Sequence, residues 1–404
     1  MTKNELILKA GIYLDHLCNR ISNRSVGSEG NRQATDYFRE LLIESGWEAS
    51  MDEFDAIDWE DGGATLSCDG KVFMVVVSPY SNGFEGEALL VAAGSAGELE
   101  NLDSTGKILL LHGEIASEQL MPKNFVFYNP EEHQKIIALL ENSGALALVC
   151  ATGRNAALAG GVYPFPLIED GDFDIPSVYM TEEEGKRLLP LAGKMVSLNS
   201  VSKRIPGKGY NVSGKKGAGG LQRIVVTAHI DAKKGTPGAI DNASGVVVLL
   251  LLAGLLNDHA VGRPVELVAL NGEDYYSVPG QMKYITSNMG RFDSIFLNIN
   301  IDGAGYHSGP TAFSPFDLPL PVNNALQEIL NSSEGFIQGI PWPQGDHSIF
   351  VQSGVPAIAI TSGWFIDNIS TQEITHTPKD HSGIVDPGRL VDIALAVCDL
   401  IKKI

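Results

Sequence analysis

Hydrophobic and polar positions follow two different periods along this chain, and each period predicts a different kind of element. Near the start, Leu6, Ala10, Leu14 and Leu17 recur at helical spacing, which predicts an amphipathic helix over residues 4–20. A second helix follows and ends near Gly46. Beyond residue 64, short apolar runs alternate with turns rich in Gly, Asp, Asn and Ser, and this pattern predicts a small β-rich domain. The runs are 74–77, 88–92, 107–111, 145–150 and 175–180, with one amphipathic helix around 130–142.

After residue 221 the pattern becomes strand, loop, helix, repeatedly. The predicted strands are 223–228, 264–270, 294–301 and 355–360, and the predicted helices lie near 243–257, 279–289, 322–332 and 387–402. This alternation predicts an α/β layered domain. We expect the N-terminal helices to cover the same sheet, so that the β-rich segment is an insertion. The predicted domains are 1–62 with 200–404, and 63–199, with 203–220 as a linker.

Composition and charge restrict the function. The chain has 404 residues, 44% apolar and 19% charged, which is typical of a globular protein. Its formal charge of −20 argues against nucleic acid and anionic membranes as partners. The cysteines lie far apart and predict free thiols in a reducing compartment. The N-terminal sequence lacks the pattern of a signal peptide, and no apolar run is long enough to span a bilayer, so we expect a cytoplasmic location.

Chemically capable side chains follow successive predicted strands. In open α/β sheets, ligands bind just beyond the carboxyl ends of the strands. The residues at these positions are His229 and Asp231 after the first strand, Glu273 and Asp274 after the second, and Asp302 after the third. Asp241, at the start of the following helix, and His376, in a later loop, are further candidates. On the first stretch alone, a helix cap and a core histidine remain the alternative.

Imidazole and carboxylate ligands together suit zinc, and cobalt or manganese less selectively. One histidine and one private carboxylate per ion, with one shared carboxylate, would hold two ions about 3.5–4 Å apart. The residues that supply this number of ligands are His229, Asp241, Asp274, Asp302 and His376. Glu273 is then left over as a candidate general base.

The order of short motifs resembles the M28 family of di-zinc peptidases, mostly aminopeptidases, with an inserted protease-associated (PA) domain. The matching segments are SVGSEGNRQATDYF, AHID, AIDNASG, NGED, NIDGAG, GDHSIFVQSGVPAIAI and THTPKD, with GKILLL and DIPSVYMTEEEGKRLL in the insert. They cover almost the whole chain in the expected order.

This resemblance implies a mixed sheet of about eight strands sandwiched between helices, with a PA-like insert. It implies that His229 and Asp302 bind one zinc, that Asp274 and His376 bind the other, and that Asp241 bridges them. By the same resemblance, Glu273 acts as general base and then general acid. Asp231 resembles the acid that orients the first histidine.

Two positions depart from the family pattern. The family usually has Glu-Glu where this chain has Glu273-Asp274, and we expect altered metal affinity or preference. Several members have Tyr before the final histidine, where Thr375 stands here, and weaker activity is one consequence. The family also places Asp346 and His347 near the site, in contact with substrate or orienting a ligand, although a helix cap explains Asp346 equally well. Asp380 and His381 are expected at the surface.

The function hypothesis is a metal-dependent exopeptidase, an aminopeptidase, in which a metal-bridging water attacks the scissile carbonyl and Glu273 accepts its proton. Its partners would be peptides with a free N-terminus, and a homodimer stays open. Carboxypeptidases, aminoacylases and glutaminyl cyclases of the same scaffold are the alternatives within the enzyme class. A metal-free, receptor-like binding protein is the alternative outside it.

Overall fold

The computed structural model describes residues 1–21, 23–125, 129–154, 161–217, 221–258 and 262–404. The chain divides into two compact units, Met1–Ala56 with Lys208–Ile404 as unit 1 and Ile57–Gly207 as unit 2. The boundaries expected from sequence, after residues 62 and 199, differ from this division by several residues at each junction. Both junctions lie inside long strands, where the texture of the sequence does not change.

Eleven α-helices and fourteen strands lie within the described ranges, numbered in chain order. The α-helices are α1 Lys3–Asp15, α2 Glu29–Glu44, α3 Ala96–Glu100, α4 Glu131–Glu141, α5 Glu182–Leu188, α6 Ser244–Leu255, α7 Pro279–Asn288, α8 Leu320–Asn331, α9 His347–Gln352, α10 Gly363–Asn368 and α11 Pro387–Lys403. The strands are β1 Glu48–Cys68, β2 Lys71–Phe73, β3 Val76–Val77, β4 Phe84–Ala93, β5 Ile108–Leu111, β6 Ala147–Thr152, β7 Ser177–Thr181, β8 Met195–Lys216, β9 Arg223–His229, β10 Val265–Leu270, β11 Ile295–Ile301, β12 Thr311–Phe316, β13 Phe336–Gln338 and β14 Ala357–Ser362.

Unit 1 is built on a mixed sheet in the order β13–β12–β14–β11–β9–β10–β8, with β1 beside β8. Strands β14, β11, β9 and β10 run parallel to one another. Strand β12 pairs antiparallel with β14 and parallel with β13, and β8 pairs antiparallel with β10. The parallel strands are buried throughout, which explains why they read as continuous apolar runs. Their carboxyl ends share one edge of the sheet.

Helices cover the sheet of unit 1. Helix α6 is buried from Ser244 to Ala253 and packs on β9 and β10, with α1 and α11 against its outer side. Helices α7 and α9 pack on β10 and on β11 with β14, respectively. Each fully buried Leu or Val of α6 contributes about 1.5–3 kcal/mol by leaving water. The predicted fold class, α/β with a mixed sheet between helices, is confirmed.

Unit 2 contains the predicted β-rich segment. Strands β4, β5, β6 and β7 form a parallel ladder, β3 pairs antiparallel with β7, and the first part of β8 pairs antiparallel with β4. Two separate apolar clusters pack on this sheet, one of them around α4. Its secondary structure is richer than expected, because the short helices α3 and α5 accompany the one helix foreseen at 130–142.

The predicted linker 203–220 is wrong over its described part. Residues up to Lys216 continue β8, and Val212–Lys216 pair with β10. The Gly and Lys residues of this segment suggested a loop. The segment is nevertheless a strand, because its backbone forms hydrogen bonds with β10 whatever its side chains are. Within the described ranges, no helix is both long and apolar enough to cross a membrane.

Candidate metal centre

The ends of three parallel strands deliver the core of the site. His229 is the last residue of β9, Asp302 follows β11 directly, and the 272–274 loop follows β10. Because β9 pairs in parallel with both β10 and β11, these ends meet at one edge of the sheet. His376 reaches the same place from a loop, with a positive φ of 62°. The structure therefore brings the predicted ligand set together.

Asp241 lies between the two histidines. Its Oδ1 is 3.0 Å from His229 Nε2, and its Oδ2 is 3.2 Å from His376 Nε2. Each carboxylate oxygen thus faces one imidazole nitrogen. A carboxylate that offers one oxygen to each of two sites is the arrangement that a shared ligand requires.

Each histidine also has a second carboxylate of its own. Asp302 Oδ1 is 3.6 Å from His229 Nε2, and Asp274 Oδ1 is 3.0 Å from His376 Nε2. The five side chains therefore form a symmetric series, in the order Asp302, His229, Asp241, His376 and Asp274.

The donor atoms fit a metal ion. Buried His229 Nε2 and Asp274 Oδ2 have no hydrogen-bond partner, although a buried polar atom normally has one. One donor atom each from His229, Asp241 and Asp274 lies within 4.8 Å of the others. His376 Nε2 and Asp274 Oδ1 form a hydrogen bond at 3.0 Å. Imidazole and carboxylate donors that converge this closely suit a divalent cation such as zinc.

The segment before α6 explains why Asp241 is free for this purpose. The capping bond that the sequence assigned to Asp241 or Asn242 comes from Asn242, whose Oδ1 accepts the Gly245 N–H at 3.0 Å. Asn242 Nδ2 also donates to the Ile301 carbonyl at 2.8 Å, which ties this segment to β11. The Asp241–Asn242 peptide bond is cis. Asp241 therefore has no capping bond to make, and both its oxygens point to histidines.

Asp380 holds the same segment from the other side. Its carboxylate accepts the backbone N–H of Ile240 at 2.6 Å and that of Asp241 at 3.1 Å. The surface position expected for Asp380 is wrong, because its side chain is fully buried, whereas His381 is exposed as expected. Burial and the nearby Asp241 raise the pKa of Asp380 to about 7. A sequence alone does not show this role, because the two partners are about 140 residues away.

Asp231 supports the loop that carries Glu273 and Asp274. Its carboxylate accepts three backbone N–H groups, from Gly272 at 2.6 Å, Glu273 at 3.3 Å and Asp274 at 3.0 Å. The distance from Asp231 Oδ1 to His229 Nδ1 is 3.6 Å, and that nitrogen has no hydrogen-bond partner. The hydrogen bonds of Asp231 thus orient the 272–274 loop. Asp231 lies near His229, as predicted, but forms no hydrogen bond with it.

The surroundings of Glu273 make its protonation sensitive to nearby charge. Burial raises the pKa of Glu273 well above its usual range, and the neighbouring Asp274 and Asp302 raise it further, while His229 opposes them. A bound cation would lower the pKa again, because it favours the ionised carboxylate. A carboxyl whose protonation depends on nearby charge is suited to accept and return a proton near neutral pH.

The remaining predicted residues lie around this centre or are engaged elsewhere. Gly345, with φ of +99°, stands between Asp302 and His347, since a Cβ built on it would lie 3.4 Å from both Asp302 Oδ2 and His347 Nδ1. Asp346 is buried and accepts from Gln281 Nε2, and burial raises its pKa to about 7. The Thr375 hydroxyl accepts from Gln372 Nε2 at 2.6 Å, so it is engaged within its own loop.

Two supports of the site have no signal in the sequence. Arg24 is buried and donates to four backbone carbonyls, among them those of Ile230 and Gly238 on either side of the 231–237 loop. Asn31 and Asn271 exchange a pair of amide hydrogen bonds, each 2.9 Å long, at the base of the Glu273 loop. Both lie in or beside the segments that carried the family resemblance, but nothing in the sequence joins residues so far apart.

Comparison with known proteins agrees with this geometry. Residues 211–401 match the sequence model of peptidase family M28. These residues contain every candidate metal ligand. The chain is therefore similar to peptidase family M28 over this part of unit 1, and this similarity supports the family predicted from the sequence.

Individual relatives are similar over more of the chain. Leucine aminopeptidase 2 of Trichophyton equinum is 23% identical over 377 residues, which cover 88% of this chain and 70% of that protein. The aminopeptidase from Aneurinibacillus sp. strain AM-1 has a similar structure, with a TM-score of 0.76 at 19% identity over 98% of this chain and 93% of that one. A zinc aminopeptidase from Bacillus subtilis also has a similar structure, with a TM-score of 0.75 at 19% identity over 98% of this chain and 94% of that one. These similarities extend the shared fold beyond the family match.

Proposed function

We propose that this protein is a zinc-dependent aminopeptidase that removes N-terminal residues from peptides. The observation that carries the proposal is the position of Asp241, with one oxygen toward His229 and the other toward His376. The match to the M28 family model and the names of the similar proteins, leucine aminopeptidases and a zinc aminopeptidase, support the same activity.

The proposed centre holds two zinc ions. His229 and Asp302 would hold one, His376 and Asp274 the other, and Asp241 both. Zinc in such a site polarises a carbonyl and lowers the pKa of a bound water to about 7. Asp231 keeps the Glu273–Asp274 loop in place through its three accepted N–H bonds.

Glu273 is the group that moves the proton. Its carboxylate accepts a proton from the attacking water and returns it to the departing amine, so that the peptide bond breaks into a carboxylate and a free amine. Such transfer contributes about 10²–10⁴-fold to the rate. The acidic edge of the sheet attracts the free α-ammonium group of the substrate, in line with the chain's formal charge of −20.

The substitution of Asp274 for the usual Glu shortens one proposed ligand by a methylene. Asp274 Oδ1 nevertheless lies 3.0 Å from His376 Nε2, so the shorter side chain reaches the centre. The PA-like identity of unit 2, a homodimer and the cytoplasmic location stay predictions from the sequence.

The direct test is hydrolysis of aminoacyl p-nitroanilides by the purified protein, by the metal-depleted protein and after zinc is restored. The same substrates with an acetylated α-amine serve as a control, because an aminopeptidase needs a free amine. Activity that zinc restores and that acetylation removes supports the proposal. Cleavage of acetylated substrates, or none with any metal, contradicts it.

Glu328 provides a matched variant, since it is an exposed carboxylate paired only with Lys403 on the surface. Glu328→Gln should retain wild-type activity, whereas Glu273→Gln should lose most of it. Equal activity of the two variants would remove Glu273 from the mechanism.

A further inference from the structure

A polar cavity lies in unit 1, apart from the metal centre. It has a volume of about 320 Å³ and is lined by α7 and by strands β1, β8, β9 and β10. Arg223, which lines the cavity, is the first residue of β9, and His229 of the metal centre is the last residue of the same strand. Six residues of strand correspond to about 20 Å. The cavity is thus separate from the metal centre.

The size and walls of this cavity suit a small polar molecule. Its volume lies at the lower end of the range of about 300–1,000 Å³ for small-molecule sites. Ser213 of β8 and Ser287 of α7 contribute hydroxyl groups, and Val268 adds a short apolar surface. The Asn211 amide also lines the cavity but is already engaged by the Gly280 carbonyl and the Asn271 N–H. A mixed lining of this kind binds ligands through a few directed polar contacts.

Charges of both signs line the cavity, with an excess of positive charge. The cations are Lys215, Arg223 and Arg291, and the anions are Asp52 and Glu266. Their sum is +1, in a chain whose formal charge is −20. A local positive excess in such an acidic protein favours an anionic group.

The floor and the rim of the cavity differ in how their charges are used. At the floor, Arg223 Nε donates to Glu266 Oε2 at 2.7 Å, and these two side chains neutralise each other. Lys215 Nζ forms a longer ion pair with Glu266 Oε1, at 3.7 Å, and its side chain is 58% exposed. Arg291 and Asp52 are also exposed. The rim therefore presents two cations and one carboxylate to a ligand.

A buried hydroxyl at the cavity supplies an independent observation. Tyr284 is 5% exposed and lines the cavity, and its hydroxyl has no hydrogen-bond partner. A buried hydroxyl without a partner is costly, by about 1–3 kcal/mol, and such groups usually bind something. Tyr284, on α7, lies close enough to Glu266 and Arg223 to interact electrostatically with both charges, and all three residues line the cavity.

We propose that this cavity binds a small zwitterion of the α-amino acid class, with its carboxylate at Lys215 and Arg291 and its ammonium group at Asp52. The paired Arg223 and Glu266 form the floor beneath it. The inference goes beyond the proposed peptidase activity, because it rests on charges and space that the metal centre does not use. A free amino acid is also a product of an aminopeptidase. Occupancy of the cavity would therefore rise as the proposed reaction product accumulates.

Isothermal titration of the full-length protein tests this proposal. The probes are L-leucine, 4-methylpentanoate, which lacks the amine, and L-leucinamide, which lacks the carboxylate and is titrated only into the Asp241→Asn variant because an active aminopeptidase would hydrolyse it. The titrations are repeated in Asp241→Asn, which removes the proposed shared metal ligand and so separates this cavity from binding at the metal centre. We expect L-leucine to bind in both proteins, and each single-function probe to bind at least about tenfold more weakly, because each lacks one charge-assisted contact.

Two variants with matched controls locate the binding. Lys215→Met removes a rim cation, and Ser287→Trp fills the cavity from α7. Lys283→Met and Thr286→Trp make the same changes on α7 outside the cavity lining. We expect the cavity variants to bind L-leucine at least about tenfold more weakly, which corresponds to about 1.4 kcal/mol, and the controls to bind within about twofold of wild type.

Several results would overturn the proposal. They are binding of 4-methylpentanoate as tight as that of L-leucine, binding lost in Asp241→Asn, or wild-type binding in both cavity variants. Absence of saturable L-leucine binding up to about 10 mM, a concentration at which even millimolar affinity is seen, would do so as well. Failure of the peptidase test leaves this outcome unaffected, because the titrations measure no turnover.

Discussion

Replacing Asp231 with Asn tests how the metal centre is supported. The Asp231 carboxylate accepts three backbone N–H groups of the 272–274 loop, two on Oδ1 and one on Oδ2. An Asn side chain has one oxygen, so at least one buried N–H loses its acceptor and meets an NH₂ group instead. The other bonds lose their ionised acceptor.

The magnitude follows from these bonds. One buried donor without a partner costs about 1–3 kcal/mol, and bonds to an ionised acceptor are roughly twice as strong as neutral ones. We therefore expect Asp231→Asn to lower the free energy of unfolding by about 2–4 kcal/mol. Because Asp274 is carried by the same loop, we also expect zinc affinity to fall by about 10–100-fold, the usual effect of losing a group that orients metal ligands.

Denaturant unfolding of the metal-depleted protein measures the first effect, and competition with a chromophoric chelator measures the second. Asp36→Asn is the matched control, since its carboxylate pairs with Arg32 on the exposed side of α2. It should change stability by no more than about 0.5 kcal/mol. If Asp231→Asn keeps both the stability and the zinc affinity of the wild type, Asp231 does not hold the loop.

Three further predictions follow from single contacts. Glu273→Gln should lower kcat at least about 100-fold while the zinc content stays unchanged; loss of zinc in this variant would make Glu273 a ligand instead of a base. Asp380→Asn leaves either Ile240 N–H or Asp241 N–H without its acceptor, so stability should fall by about 1–3 kcal/mol, and an unchanged unfolding midpoint would argue against this support. A Cβ on Gly280 would stand 1.8 Å from the Asn271 carbonyl, so Gly280→Ala should destabilise the fold by at least about 1–3 kcal/mol. A Cβ on Gly11 would meet no described atom within 4 Å outside the neighbouring backbone of its own helix, so Gly11→Ala should raise the free energy of unfolding by about 0.5–1 kcal/mol. The same sign for both glycine variants would contradict the packing described.

The order of elements in unit 1 was predictable because burial leaves a period in the sequence. Buried parallel strands such as β9 and β10 are continuous apolar runs, and α6 is apolar on all sides because helices and sheet enclose it. Three of the candidate ligands, His229, Asp274 and Asp302, were predictable for a related reason, since each lies at or shortly after a strand end. The predicted strand ends fall within two residues of the observed ones.

Other features depend on contacts that a linear sequence does not show. Asp380 is buried because its carboxylate reaches the N–H groups of a segment about 140 residues earlier. Asn242, and not Asp241, caps α6, and only the three-dimensional course of the chain decides between two adjacent side chains. The segment before Lys216 is a strand because β10 offers it a ladder, although its Gly and Lys content favours a loop.

The central claim is that Asp241 is shared between two metal sites. The most direct measurement is the zinc content per chain of wild type and Asp241→Asn after reconstitution and removal of free metal, together with aminoacyl p-nitroanilide hydrolysis. We expect two zinc ions per chain and activity in the wild type, and loss of bound zinc and activity together in Asp241→Asn. Wild-type zinc content and activity in Asp241→Asn would contradict the account.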